Sequence, residues 1–131
     1  MIVVDTSVWV AANRQPGGPE AAALSSLIDA DEVGVALPVR LELMSGVARK
    51  DRAALERGLS ALPVLVPTEE TWSVAERWIV PAADAGDHFG VTDLLIAALA
   101  DEIGALVWLL DDDFVRMEGL GFTRLYLPTR S

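Results

Sequence analysis

Short apolar runs alternate along this chain with stretches of helical spacing, and that alternation limits the fold more than any other feature. Ile2-Val3-Val4 is β-branched and closes on Asp5, so residues 2–5 read as a buried strand. Further strand candidates are Val33 to Leu37, residues 63–66, Ala105 to Leu110 and Thr123 to Leu127. Helices are expected over 7–13 and 19–30, separated by the breakers Pro16-Gly17-Gly18-Pro19, then from Pro38 to about Val47 and over 51–61. Two more are expected from Thr68, a suitable N-cap with Glu69 and Glu70 in the first turn, to about Ala85, and from Thr92 to Ile103. Asp111 to Glu118 reads as a short turn or helix. Strands that alternate with helices give a parallel sheet wrapped on both faces. The expected architecture is a three-layer α/β/α fold with a central, mostly parallel sheet of four to five strands. At 131 residues the chain makes a single domain, 1–131.

Right-handed crossovers put the carboxyl ends of all such strands at one sheet edge, where ligands bind. Asp5 closes the first strand, and Asp111 and Asp113 follow the Ala105 to Leu110 run. Asp93 stands in the first turn of its helix, among Val91, Leu94, Leu95, Ala98 and Leu99. Glu42 lies about one turn into its helix, beside the apolar stripe Val39, Leu43 and Val47, and Gly46 there would permit close approach. Acids gathered without Lys or Arg raise one another's pKa unless a divalent cation sits among them. Each also has an ordinary explanation: Asp93 as a helix N-terminal charge, Asp5 as the cap of the Ser7 helix, 111–113 as a solvated turn. It is their joint placement that suggests a metal site.

Composition narrows the setting. The chain is 52% hydrophobic with mean hydropathy +0.36, rich for a soluble domain, which suggests that a partner or second copy covers part of the surface. The absence of cysteine excludes a disulfide framework and a thiolate metal site. The apolar start lacks a basic region and contains Asp5, and no run is long enough to span a bilayer, so a cytoplasmic location and no membrane association are expected. A net charge of −10 argues against broad adhesion to nucleic acid but not against a nucleic-acid enzyme, whose metals reverse the local sign. The one basic concentration, Arg49, Lys50, Arg52 and Arg57, reads first as a solvated helix end. His88, alone in a loop, reads as polar surface. Trp72 and Trp78 are the better interface candidates among the four tryptophans.

Four local sequences, Val4-Asp5-Thr6-Ser7, Leu41-Glu42-Leu43, Thr92-Asp93-Leu94-Leu95-Ile96-Ala97-Ala98 and Leu110-Asp111-Asp112-Asp113-Phe114, together resemble the PIN-domain ribonucleases. In size and layout the chain is similar to the VapC-type toxins of bacterial toxin–antitoxin pairs. The resemblance implies an endoribonuclease whose acidic quartet Asp5, Glu42, Asp93 and Asp111 holds Mg²⁺ or Mn²⁺. It implies Asp113 as a fifth metal-site member and a hydroxyl contact from Thr6 or Ser7. It also implies an RNA substrate, a homodimer, and a small cognate antitoxin protein that blocks the site. Many relatives carry Thr or Ser where this chain has Leu109, so one hydroxyl contact is missing here. Strand alternation would favour Asp111 and Asp113 over Asp112 as the residues facing the metal. Arg14, Arg40 and Arg49 are candidates to hold phosphates.

Two alternatives stay open. One is a non-catalytic acidic α/β module that binds a protein partner. The other is a haloacid-dehalogenase-like phosphatase, weakened because its second acid falls at Ser7.

Overall fold

The computed structural model describes residues 1–128. β1 (Ile2–Val4), β2 (Val33–Ala36), β3 (Val64–Leu65) and β4 (Leu106–Trp108) form one parallel sheet in the order β3-β2-β1-β4. Val3 pairs with both Gly34 and Val107, which puts β1 in the middle. Burial explains its composition: Val3 and Val4 are fully buried, as the central strand of a sheet covered on both faces requires.

The helices are α1 (Thr6–Arg14), α2 (Pro19–Asp29), α3 (Leu37–Gly46), α4 (Arg52–Ser60), α5 (Glu69–Asp84), α6 (Val91–Glu102) and α7 (Asp113–Gly119), with a 3₁₀ turn at Arg49–Asp51. Pro38 sits in the first turn of α3, where its missing N–H costs nothing. Thr68 caps α5 through a reciprocal box with Thr71: each hydroxyl accepts the other residue's amide, at 3.4 and 3.0 Å. Two apolar clusters flank the sheet. One gathers Val3, Val107, Phe114, Met117 and most of α6; the other gathers Ile2, Val4, Val8, Leu24, Val33 and Trp108. Leu94 to Ala100 are buried without interruption, so α6 packs against the sheet on one side and α5 on the other.

Three expectations are corrected. Thr123 to Leu127 is not a strand but a single parallel bridge, Val107 to Leu125, held by Val107 N donating to the Arg124 carbonyl and Tyr126 N to the Val107 carbonyl. β4 is only three residues long, and the Leu125 amide turns the other way, to Glu118 Oε2 at 2.8 Å. Trp78 is spent internally, stacked on Phe122 with centroids 4.6 Å apart and planes within 5°. Among the described residues nothing approaches Gly46 closely, since a Cβ there would meet nothing within 4 Å. Trp72 remains half exposed.

Candidate functional site

The carboxyl-end edge is built from the end of β1 outward. Asp5 is 8% exposed, and its amide donates to the Trp108 carbonyl at 2.8 Å, which locks the end of β1 to the end of β4. Its side chain is the N-cap of α1. Asp5 Oδ2 accepts the Ser7 amide at 3.0 Å and the Ser7 hydroxyl at 2.7 Å. Ser7 Oγ in turn accepts the Leu110 amide at 3.1 Å. One small side chain therefore ties the first acid to the segment that delivers Asp111. Asp5 serves as cap and as site wall together, so its ordinary explanation is true without being complete.

Asp111 Oδ1 accepts the Asp113 amide at 2.7 Å, a local turn that holds the two acids side by side. Both charges reach Asp93, and Asp112 instead occupies the N-cap position of α7. The expected pairing of Asp111 with Asp113 therefore holds, but through this turn and not through strand alternation.

Asp93 integrates the edge. Burial pushes its carboxyl up from an ordinary 3.8 to about 6, aided by the charges of Asp5, Asp111, Asp113 and Glu42. The helix N-terminus should act in the opposite sense, favouring the anion. The neighbouring acids and the loss of water outweigh it. Glu42 sits at the rim, and its carboxyl is also raised, first by burial and then by the Asp5 charge, while the Thr6 hydroxyl opposes the rise. That hydroxyl is buried and faces Glu42, but among the described residues it makes no hydrogen bond of full geometry. An unmade buried hydrogen bond costs about 1–3 kcal/mol, so Thr6 Oγ1 is suited to a water or ligand atom between it and Glu42.

The structure thus brings Asp5, Glu42, Asp93, Asp111 and Asp113 into one electrostatic neighbourhood, with Thr6 and Ser7 beside them. Their oxygen donors match the chemistry of Mg²⁺ and Mn²⁺, and the raised Asp93 and orphaned Thr6 hydroxyl fit a bound cation with its waters. Among the described residues, no three acidic or histidine side chains are already arranged to hold a metal ion. The carboxylates stand near enough to repel but are not drawn into a closed shell, and among the described residues only Asp113 has a cationic partner, Arg116.

Of the arginines put forward for phosphates, Arg40 donates to Ser60 Oγ at 3.2 Å, while Arg14 and Arg49 are exposed. His88 is exposed in the loop before α6. The residue that the sequence reading missed is Arg116. Its Nε lies 2.9 Å from Asp87 Oδ1 and its Nη2 2.5 Å from Asp113 Oδ1, with the guanidinium 5.8 Å from the Phe89 ring centroid. The spacing of three between Asp113 and Arg116 was the available signal.

The PIN domain family profile matches residues 2–120. Ribonuclease VapC11 of Mycobacterium tuberculosis is 34% identical over 119 residues, covering 87% of this chain and 89% of the relative. Ribonuclease VapC18 of the same organism is 34% identical over 125 residues, covering 89% and 87%. Among solved structures, VapBC2 of Rickettsia felis bound to a promoter DNA fragment superposes with a TM-score of 0.78 at 19% identity, covering 96% of this chain and 98% of that one.

Proposed function

The chain belongs to the PIN domain family, and on that premise we propose that it is an endoribonuclease, the toxin member of a toxin–antitoxin pair. The observation that carries the reading is Asp93: a helix N-terminal acid raised to about 6 by burial and by four other acids, with Asp5 among the strongest. A cation joining such a group would favour its anion and relieve the repulsion among the acids.

Asp5, Glu42, Asp93 and Asp111 would hold Mg²⁺ or Mn²⁺, with Asp113 as a fifth contributor. The bound ion supplies a nucleophilic water and charge neutralisation for in-line hydrolysis of a phosphodiester. The chain's own groups set the stage. Asp93 must release its proton before the edge can bind a cation. Ser7 holds Asp5 at one carboxylate oxygen, and among the described residues no hydrogen bond engages the other. The Thr6 hydroxyl offers a hydrogen bond to a water beside Glu42. No histidine is needed as a base.

RNA is the proposed substrate, and a small antitoxin and a second copy of this chain the proposed partners. No helix among the described residues is long and apolar enough to cross a membrane, and a cytoplasmic location is part of the proposal. A non-catalytic protein-binding module is the competing reading, favoured by the open spacing of the acids.

The test is incubation of antitoxin-free protein with total RNA and Mg²⁺ or Mn²⁺, beside EDTA and Asp93→Asn controls. Discrete fragments that vanish in both controls are expected. Folded protein that cuts nothing with either metal would favour the binding module.

A further inference from the structure

We propose that Arg116 is a positioning residue for the acidic edge, a latch that holds the segment carrying Asp113 against the loop that delivers Asp93. The inference rests on the metal-dependent reading above and adds a residue to it.

The latch joins two segments that nothing in the sequence brings together. On one side is the first turn of α7, where Asp113 Oδ1 meets Arg116 Nη2 at 2.5 Å. On the other is the link between α5 and α6, where Asp87 Oδ1 meets Arg116 Nε at 2.9 Å. Phe89, packed against the core, lies 5.8 Å under the guanidinium. A planar guanidinium can serve two carboxylates and an aromatic face at once, which an ammonium cannot.

The loop end is built to receive it. α5 terminates with Gly86 at φ +84°, a left-handed conformation that favours glycine. The Gly86 amide donates to the Ala83 carbonyl and the Asp87 amide to the Ala82 carbonyl, both at 2.9 Å. This paired closure fixes where Asp87 leaves the helix. Asp87 is 17% exposed on its side chain, far less than an ordinary surface acid, and the chain then runs through Phe89 and Gly90 into the Asp93 helix. An isolated exposed pair would contribute little. Here the pair bridges two separate segments beside the candidate cation site, so its loss changes the spacing of Asp93 and Asp113.

The sign of the effect separates positioning from charge. Arg116 is a cation beside a proposed cation site, so removing its charge alone would tighten divalent binding. Loss of positioning would weaken it.

The experiment is Mn²⁺ titration by calorimetry of wild type, Arg116→Met, Asp87→Asn and the double variant, with RNA cleavage measured across Mn²⁺ concentration. Met keeps the aliphatic stem over Phe89, and Asn keeps the shape of Asp87. Each single variant is expected to weaken Mn²⁺ binding by about tenfold, as loss of support behind a metal ligand does. The double variant should be no weaker than either single, and saturating Mn²⁺ should restore cleavage. Mn²⁺ affinity unchanged or tightened in Arg116→Met, with wild type binding normally, would overturn the latch and leave the metal reading standing. A raised KM for RNA in Arg116→Met, with Asp87→Asn behaving as wild type, would also overturn it, because Arg116 would then be a substrate contact. Wild type that binds no Mn²⁺ would remove both. Should Arg116→Met fail to fold, Arg116→Gln, which removes the same charge, carries the comparison.

Discussion

α5 and α6 both begin with acids in their first turns, yet the two helix N-termini behave in opposite ways. At α5 the Thr68–Thr71 box satisfies the terminal amides, Glu69 and Glu70 are exposed, and Glu70 meets Arg77 at 3.4 Å. At α6 the N-cap is Gly90, no side chain caps the helix, and its acid is pushed up to about 6. The same residue class at the same kind of position stabilises one helix and remains uncompensated at the other. The neighbours make the difference: α5 starts beside solvent, whereas α6 starts where β1, α3 and the segment after β4 each bring a carboxylate. A helix N-terminal acid left in repulsion is therefore better read as a site than as a cap.

The largest expected effect removes the odd acid. Asp93→Asn should lower RNA cleavage by more than about 100-fold while the protein stays folded by circular dichroism. Glu70→Gln should leave cleavage unchanged. Equal losses in the two variants would erase the contrast between the helices.

Ser7→Ala sharpens the comparison from the other side of the edge. It removes the hydroxyl that links Asp5 Oδ2 to the Leu110 amide, and a loss of about tenfold in kcat at limiting Mn²⁺ is expected. Thermal melting should show the cost of two hydrogen bonds, the charge-assisted one to Asp5 contributing the larger share at about 1.5–3 kcal/mol.

A smaller effect follows from pH. Asp93 holds its proton more tightly in the folded chain, about 6 against 3.8, so the stability it contributes is full below its ordinary value and is lost as pH rises through about 6. The melting temperature of metal-free protein should therefore fall by about 3 °C from about pH 5 to about pH 7. Asp93→Asn should flatten that slope, and saturating Mn²⁺ should reverse it. A metal-free slope identical in wild type and Asp93→Asn would contradict the assignment. The smallest effect lies at α5, where Thr68→Ala should cost about 1 kcal/mol in denaturant melts and leave the cleavage rate per folded molecule unchanged.

Much of this was legible in the sequence because local chemistry agreed with the tertiary outcome. The β-branched run before Asp5, Pro38 in a first turn and Thr68 at a cap each specify an element alone. The convergence of Asp5, Glu42, Asp93 and Asp111 followed from parallel topology, which puts strand ends at one edge. Other features depend on distances that topology does not set. The Thr123 to Leu127 segment has strand composition, but β4 offers it only Val107 to pair with. Trp78 looked like an interface residue until Phe122 was found stacked on it. Half of the Arg116 latch, Asp113 and Arg116 on one helix, was in view; Asp87 belongs to a different part of the chain and only the fold brings it near.

The most direct measurement is Mn²⁺ binding by calorimetry to wild type and Asp93→Asn, at about pH 7 and about pH 5, on either side of the Asp93 value. The predicted result is binding by wild type that weakens at the lower pH as Asp93 takes up its proton, and no measurable binding by Asp93→Asn. Equal affinity in the two proteins, or binding indifferent to that pH change, would contradict the claim that this acidic edge is a cation site organised around Asp93.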